Sequence, residues 1–161
     1  MIEEFLAIFK DGLFAAIAAI GFTSISNPPR RVFPFCAIVA ACGHMARYCV
    51  MTYAHASIIP GSLAGATVIG VLAMFAASMA RVPAESISFP SLLPMVPGMY
   101  AYRAVQALCK CLGSPEQDIF LHYLYLLRFN CMTCSVTIIA MVVGVTVPIF
   151  LFRNLSFKMT R

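Results

Sequence analysis

Residues 58–80 read IIPGSLAGATVIGVLAMFAASMA, a run without a single charged side chain. A helix that crosses a bilayer needs roughly 20 mostly apolar residues, and this stretch meets that requirement with nothing to spare for a water-soluble face. Its small residues recur at one spacing: Gly61-x-x-x-Gly65, Ala66-x-x-x-Gly70, Ala73-x-x-x-Ala77 and Ala76-x-x-x-Ala80. Residues four apart share a helix face, and small side chains there let neighbouring helix backbones approach closely. Gly61, Gly65 and Gly70 are therefore expected to be helix-packing positions.

Working outward, the same character continues. Of the 161 residues, 61% are apolar and 11% are charged, against roughly 45–50% and 25% in a soluble domain. Lipid is the main solvent implied by that ratio. Crossing segments are expected at about residues 5–25, 33–54, 58–80, 88–111 and 119–152, filling the chain as a single transmembrane domain. The fold class is an all-α integral membrane protein with about five transmembrane helices. Asn27-Pro28-Pro29 closes the first segment with turn residues. The fourth holds Pro90, Pro94, Pro97 and Gly98, so it is expected to be discontinuous. Ser114-Pro115-Glu116 reads as the start of an amphipathic prefix to the fifth. From Glu116 to Phe152 a continuous helix would run ~55 Å, so it must tilt, protrude or bend.

The net charge of +5 belongs to membrane topology. The basic residues never form a run with interleaved aromatics, which argues against nucleic acid as a partner. The N-terminal segment carries Glu3 and Glu4 with no positive charge before Lys10, unlike a secretory signal. With five crossings, Arg30, Arg31, Arg81, Arg153, Lys158 and Arg161 sort to one side, and Lys10 and Lys110 to the other. The excess of Lys and Arg marks the inner side, so the N-terminus is expected outside and the C-terminus in the cytoplasm.

Seven cysteines, an odd number scattered through apolar segments, read as reduced thiols rather than a disulfide framework. Cys109-x-Cys111 and Cys131-x-x-Cys134 could be written as a zinc set, but binding would bury thiolates in lipid; no metal is expected. No phosphate-binding Gly-x-x-x-x-Gly-Lys-Ser/Thr motif and no nucleophile–base spacing is present. Neither an enzyme nor a cofactor is implied.

The informative residues are the polar ones that lipid should have removed. His44 and Arg47 lie three apart near the middle of the second segment and share a helix face. A charge at that depth costs at least ~2.5–3.5 kcal/mol, so it should meet a partner, a cavity or a substrate. Arg47 suits a carboxylate through its planar fork, and His44 suits proton coupling; a pair that caps backbone carbonyls is the structural alternative. Non-helical backbone at membrane depth survives where it is buried in protein or lines a cavity. A half-helix starting at Pro97-Gly98 and running through Tyr100, Tyr102 and Arg103 would aim its positive end at an anionic group. Arg103 could equally snorkel to the interface. Asn130, Thr133, Cys134 and Thr137 make one polar stripe in the last segment, suited to helix–helix hydrogen bonds or to substrate.

Gly21-Phe22 with Asn27-x-Pro29, Gly43-His44-x-x-Arg47, Pro94-Met95-Val96-Pro97-Gly98-x-Tyr100-Ala101-Tyr102, Asn130 and Gly144-Val145-Thr146-Val147-Pro148 together resemble the threonine/serine exporter family. The closest likeness is to its short membrane subunit, the equivalent of the C-terminal membrane half of full-length exporters. The resemblance covers nearly the whole chain. It implies export of small carboxylate metabolites, threonine and serine or dicarboxylates such as succinate, across the bacterial inner membrane. It also implies a larger membrane subunit or self-association as partner. Substrate contacts are then expected from Arg47, His44, Pro97, Gly98, Tyr100, Tyr102, Asn130 and Arg103. The rival readings are a non-transporting assembly subunit and a channel.

Overall fold

The structure, a computed structural model, describes residues 2–113 and 116–152. Ser114-Pro115, read above as a helix start, and Arg153, Lys158 and Arg161 of the charge sorting lie outside the described residues. Among the described residues the secondary structure is helical throughout. In chain order it comprises α1 (Ile2–Ser26), α2 (Phe33–Tyr53), α3 (Ile58–Ala80), α4 (Glu85–Leu92), α5 (Gly98–Gly113) and α6 (Gln117–Leu151). Single 3-10 turns precede α2 at Arg30–Val32 and follow α4 at Leu93–Met95.

Four stretches are long and apolar enough to cross a membrane: Glu3–Ser26, Arg30–Tyr53, Ile58–Ala80 and Gln117–Leu151. Their outward faces carry large apolar side chains, with Phe5, Phe14, Phe75 and Phe150 each more than half exposed. Soluble monomers rarely expose so much contiguous apolar surface. The protein is an all-helical, multi-pass membrane protein.

Helix ends follow local chemistry. Asn27, at φ 46°, turns the chain after α1 in the left-handed region that Asn tolerates better than most residues, and Pro28-Pro29 cannot continue a helix. Pro34 sits in the first turn of α2, where its missing N–H costs nothing. Arg81 closes α3 at φ 53°, and the Val82 N–H reaches back to the Ala77 carbonyl at 3.2 Å.

The fourth segment is broken, as its prolines require. α4 has 8 residues, about 12 Å of helix, and cannot cross a bilayer. It packs against α1, α2 and α3, with Ile87, Pro90, Ser91 and Met95 fully buried. The Ser91 hydroxyl sits 2.7 Å from the Ile87 carbonyl and 3.0 Å from that of Cys36, tying α4 to α2. After the 3-10 turn, α5 begins at Gly98, with the Pro97 carbonyl accepting the Tyr100 and Ala101 N–H groups at 3.1 and 3.3 Å. Pro97 thus stands just outside the first turn, not within it.

The chain divides into two compact units. The first runs to Met95 and takes in the stretch from Ala140; the second is Val96–Ile139. In the first unit the small residues of α3 set the packing. A Cβ on Gly65 would lie 2.8 Å from the Gly43 carbonyl oxygen, and one on Gly43 would strike the Ile69 side chain. A Cβ on Gly70 would lie 2.6 Å from the Val145 carbonyl oxygen, and one on Gly61 2.6 Å from Met51 Cγ. α3 therefore meets α2 along one line of glycines and the end of α6 along another. The second unit is an antiparallel hairpin of α5 and the first part of α6. Cys134 Sγ stands 4.0 Å from the Pro97 carbonyl at one end, and Cys111 Sγ 3.7 Å from that of Phe120 at the other.

Candidate functional site

In the first unit, α2 carries His44 and Arg47 on the face that meets α1 and the broken segment. His44 Nδ1–H donates to Oδ2 of Asp11 on α1 at 3.2 Å. Asp11 lies inside the first candidate span, so this is an acid and a histidine paired at membrane depth. The close approach has a steric origin: Gly12, next to Asp11, leaves so little space that a Cβ would lie 2.9 Å from Met45 Cγ. His44 retains 12% of its side-chain exposure and Asp11 40%. The other ring nitrogen, Nε2, is buried, and the ring also interacts with the Pro94 backbone of the broken segment.

One turn along, Arg47 Nη1 donates to the Met95 carbonyl at 3.1 Å. Met95 ends the 3-10 turn after α4, where the prolines stop the helix from supplying an N–H to that carbonyl. Arg47 thus supports the break directly. Its stem passes Gly65, whose added Cβ would lie 3.0 Å from Arg47 Cβ. The arrangement sets an imidazole and a guanidinium one turn apart on α2, with the α1 carboxylate of Asp11 against the imidazole.

The remaining residues expected at the site belong to the second unit. Pro97 is buried and caps α5, Gly98 is exposed, and Tyr100 is half-buried. Tyr102 is 63% exposed on the apolar outer face of α5, beside Met99 and Val105. Arg103 and Asn130 line one groove, of about 310 Å³, together with Gln106, Lys110 and Tyr123. Asn130 is buried, and its Nδ2 donates to the Leu126 carbonyl of its own helix at 2.7 Å. Thr137 Oγ1 likewise donates to the Thr133 carbonyl at 2.7 Å. The polar stripe of α6 thus spends these donors on its own backbone. Among the described residues no group of three or more His, Cys, Asp or Glu is placed to hold a metal ion.

Asp11 was not among the residues expected to act. Its signal was present, an ionisable group within the apolar run 5–25, where such groups default to function. Its partner His44 is 33 positions away, beyond the reach of helix periodicity.

Comparison with known proteins agrees with the resemblance drawn from the motifs. The chain is 32% identical over 100 residues to an uncharacterized protein of Haemophilus influenzae, covering 62% of this chain and 33% of that protein. The chain thus spans about a third of the length of that relative. No solved structure matches it significantly. Residues 11–151 match the family described as "Threonine/Serine exporter, ThrE", a family of transporters rather than enzymes. The match takes in α2, α3, α4, α5 and α6 with His44, Arg47 and the broken segment: the chain belongs to the threonine/serine exporter family.

Proposed function

We propose that this chain is the membrane subunit of a secondary exporter of small carboxylate metabolites, of the kind of threonine, serine or short dicarboxylates, coupled to protons. It works with a larger second subunit in the bacterial inner membrane, its N-terminus outside and its C-terminus in the cytoplasm. The observation that carries this reading is the Asp11–His44–Arg47 cluster, set inside two spans and against the carbonyl of a broken segment. Groups so costly to bury are retained at membrane depth for transport pathways and proton relays.

The chemistry follows from the two neighbouring contacts. A carboxylate carries a full charge and can accept two parallel N–H bonds from a guanidinium, where a carbonyl carries no net charge and offers one oxygen. An arriving substrate carboxylate therefore competes with the Met95 carbonyl for Arg47, and its binding loosens the support of the break. Protonation of His44 turns its contact with Asp11 into an ion pair, placing a second positive charge one turn from Arg47. Substrate and proton thus act on the same turn of α2, which is what coupling requires.

Labelled threonine, serine and succinate efflux is measured from cells lacking their own exporters, with the chain alone and with its candidate large subunit. Saturable efflux with counterflow in the paired cells supports the carrier. Flux without saturation or counterflow makes it a channel. A scaffold reading is favoured by one contact, Arg47 to Met95, because a carbonyl cap alone explains an arginine there. Arg47→Lys separates the two: lysine keeps a donor but loses the fork. Under the carrier reading the complex stays intact while efflux falls roughly 10–100-fold, the worth of about 1.5–3 kcal/mol for a charged hydrogen bond. Unchanged efflux in that variant, or loss of the complex along with efflux, returns Arg47 to scaffolding.

A further inference from the structure

Ser62 lies on α3 between Gly61 and Gly65 and is fully buried. A hydroxyl on a membrane helix commonly donates to the carbonyl four residues back. Thr23, Thr67, Ser91, Thr137 and Thr146 all do so, at 2.6–2.8 Å. Ser62 Oγ does not, and it has no hydrogen-bond partner among the described residues. A buried hydroxyl left unpaired is costly, so its retention calls for a ligand or a role. Its surroundings point to one. A Cβ on Gly61 would lie 3.7 Å from the Arg47 carbonyl oxygen, and one on Gly65 3.0 Å from Arg47 Cβ and 2.5 Å from Met95 Cε. Ser62 thus stands within one turn of the place where α3 meets both partners of the Arg47–Met95 bond. Met95 supplies the carbonyl that holds Arg47 and also lays its methyl against this turn of α3. When a substrate carboxylate draws Arg47 away, the residue released is the one packed beside the turn that carries the free hydroxyl.

We infer that Ser62 is a specificity residue of the transport site, its hydroxyl bonding the amino or hydroxyl group next to the substrate carboxylate that Arg47 holds. This rests on the transport reading given above. A hydroxyl both donates and accepts, so it can meet a substrate hydroxyl or an ammonium, whereas a bare methylene offers it nothing. A site built to hydrogen-bond such a group rejects the analogue that lacks it, because its own polar group is then left buried and unpaired. The favoured substrates are therefore α-amino and α-hydroxy acids, ahead of unsubstituted carboxylates of the same charge.

Two matched pairs of acids isolate the substituent at constant charge: malate against succinate, and lactate against propionate. Their Kd values are measured by calorimetry on the full chain, with its partner subunit where the complex requires it. The wild type should prefer the hydroxylated member of a pair roughly 3–10-fold, the worth of one neutral hydrogen bond. Ser62→Ala should abolish that preference and weaken threonine binding by a similar factor. Its melting temperature should hold or rise, since the hydroxyl it removes has no partner to lose. Ser62→Cys fills nearly the same space with a weak hydrogen-bonding group and should lose the preference as alanine does. A preference kept by Ser62→Ala, or absent from the wild type, overturns the role of Ser62 and leaves the transport reading standing. So does a preference lost with alanine and kept with cysteine, because Ser62 would then act by filling space. Failure of the wild type to bind threonine and all four acids overturns both readings together.

Discussion

Asp11 and His44 test the proton step one atom at a time. His44→Gln keeps a polar side chain of similar size but removes the nitrogen that can gain a proton. Efflux by this variant should lose its dependence on the pH gradient while counterflow exchange survives, and Asp11→Asn should do the same if the two act as a pair. Unchanged pH dependence in His44→Gln removes protons from the mechanism. The sequence already singled out His44 and Arg47, because each interrupts an apolar run and membrane insertion penalises such residues. It did not show what they touch. The partners are Asp11, 33 residues away, and the Met95 carbonyl, 48 residues away; helix periodicity links positions three or four apart and is blind to both. Gly65 was expected to pack; the neighbour that a Cβ there would meet, the Gly43 carbonyl oxygen, depends on how α2 crosses α3.

Helix ends and breaks are where local chemistry speaks most clearly. Prolines at 90, 94 and 97 announced a discontinuity, and the chain answers with a short buried helix, a 3-10 turn and a fresh helix at Gly98. The boundary of α3 at Ala80 was equally legible, since apolar residues stop there and Arg81 follows. Less visible was that Arg81 adopts φ 53°, a left-handed conformation in which a Cβ is crowded by the backbone. Glycine is the usual residue at this point of a helix end. Arg81→Gly should therefore raise the stability of α3's C-terminus by about 0.5–1 kcal/mol, seen as a higher melting temperature of the detergent-solubilised protein. A fall in melting temperature would show that the arginine side chain contributes more than its backbone costs.

For the whole molecule, the side on which each terminus lies is the decisive number. Four helices qualify as spans by length and composition; the fifth crossing expected from the sequence falls on the stretch that holds α4 and α5. An odd number of crossings puts the termini on opposite sides, an even number on the same side. Reporter fusions at both ends, one active in the periplasm and one fluorescent in the cytoplasm, should show the N-terminus outside and the C-terminus inside. Both termini on one side would make the broken segment re-entrant. Composition sufficed to place this chain in lipid, and hydropathy sufficed to find its long helices, because both properties are local sums. The division into two units, with α6 contributing to each, was not legible, since it rests on contacts distributed over the whole chain.

The bond from Arg47 to the Met95 carbonyl also bears on how the protein is made. Arg47 leaves the ribosome well before Met95 does, so α2 meets the membrane with its guanidinium still lacking that acceptor, and the broken segment later arrives with a carbonyl its own backbone cannot satisfy. Each is a poor insertion substrate by itself and a better one beside the other. Biogenesis therefore favours holding α2 at the insertion machinery until the broken segment arrives, and a chain cut between them would assemble poorly even with both pieces present.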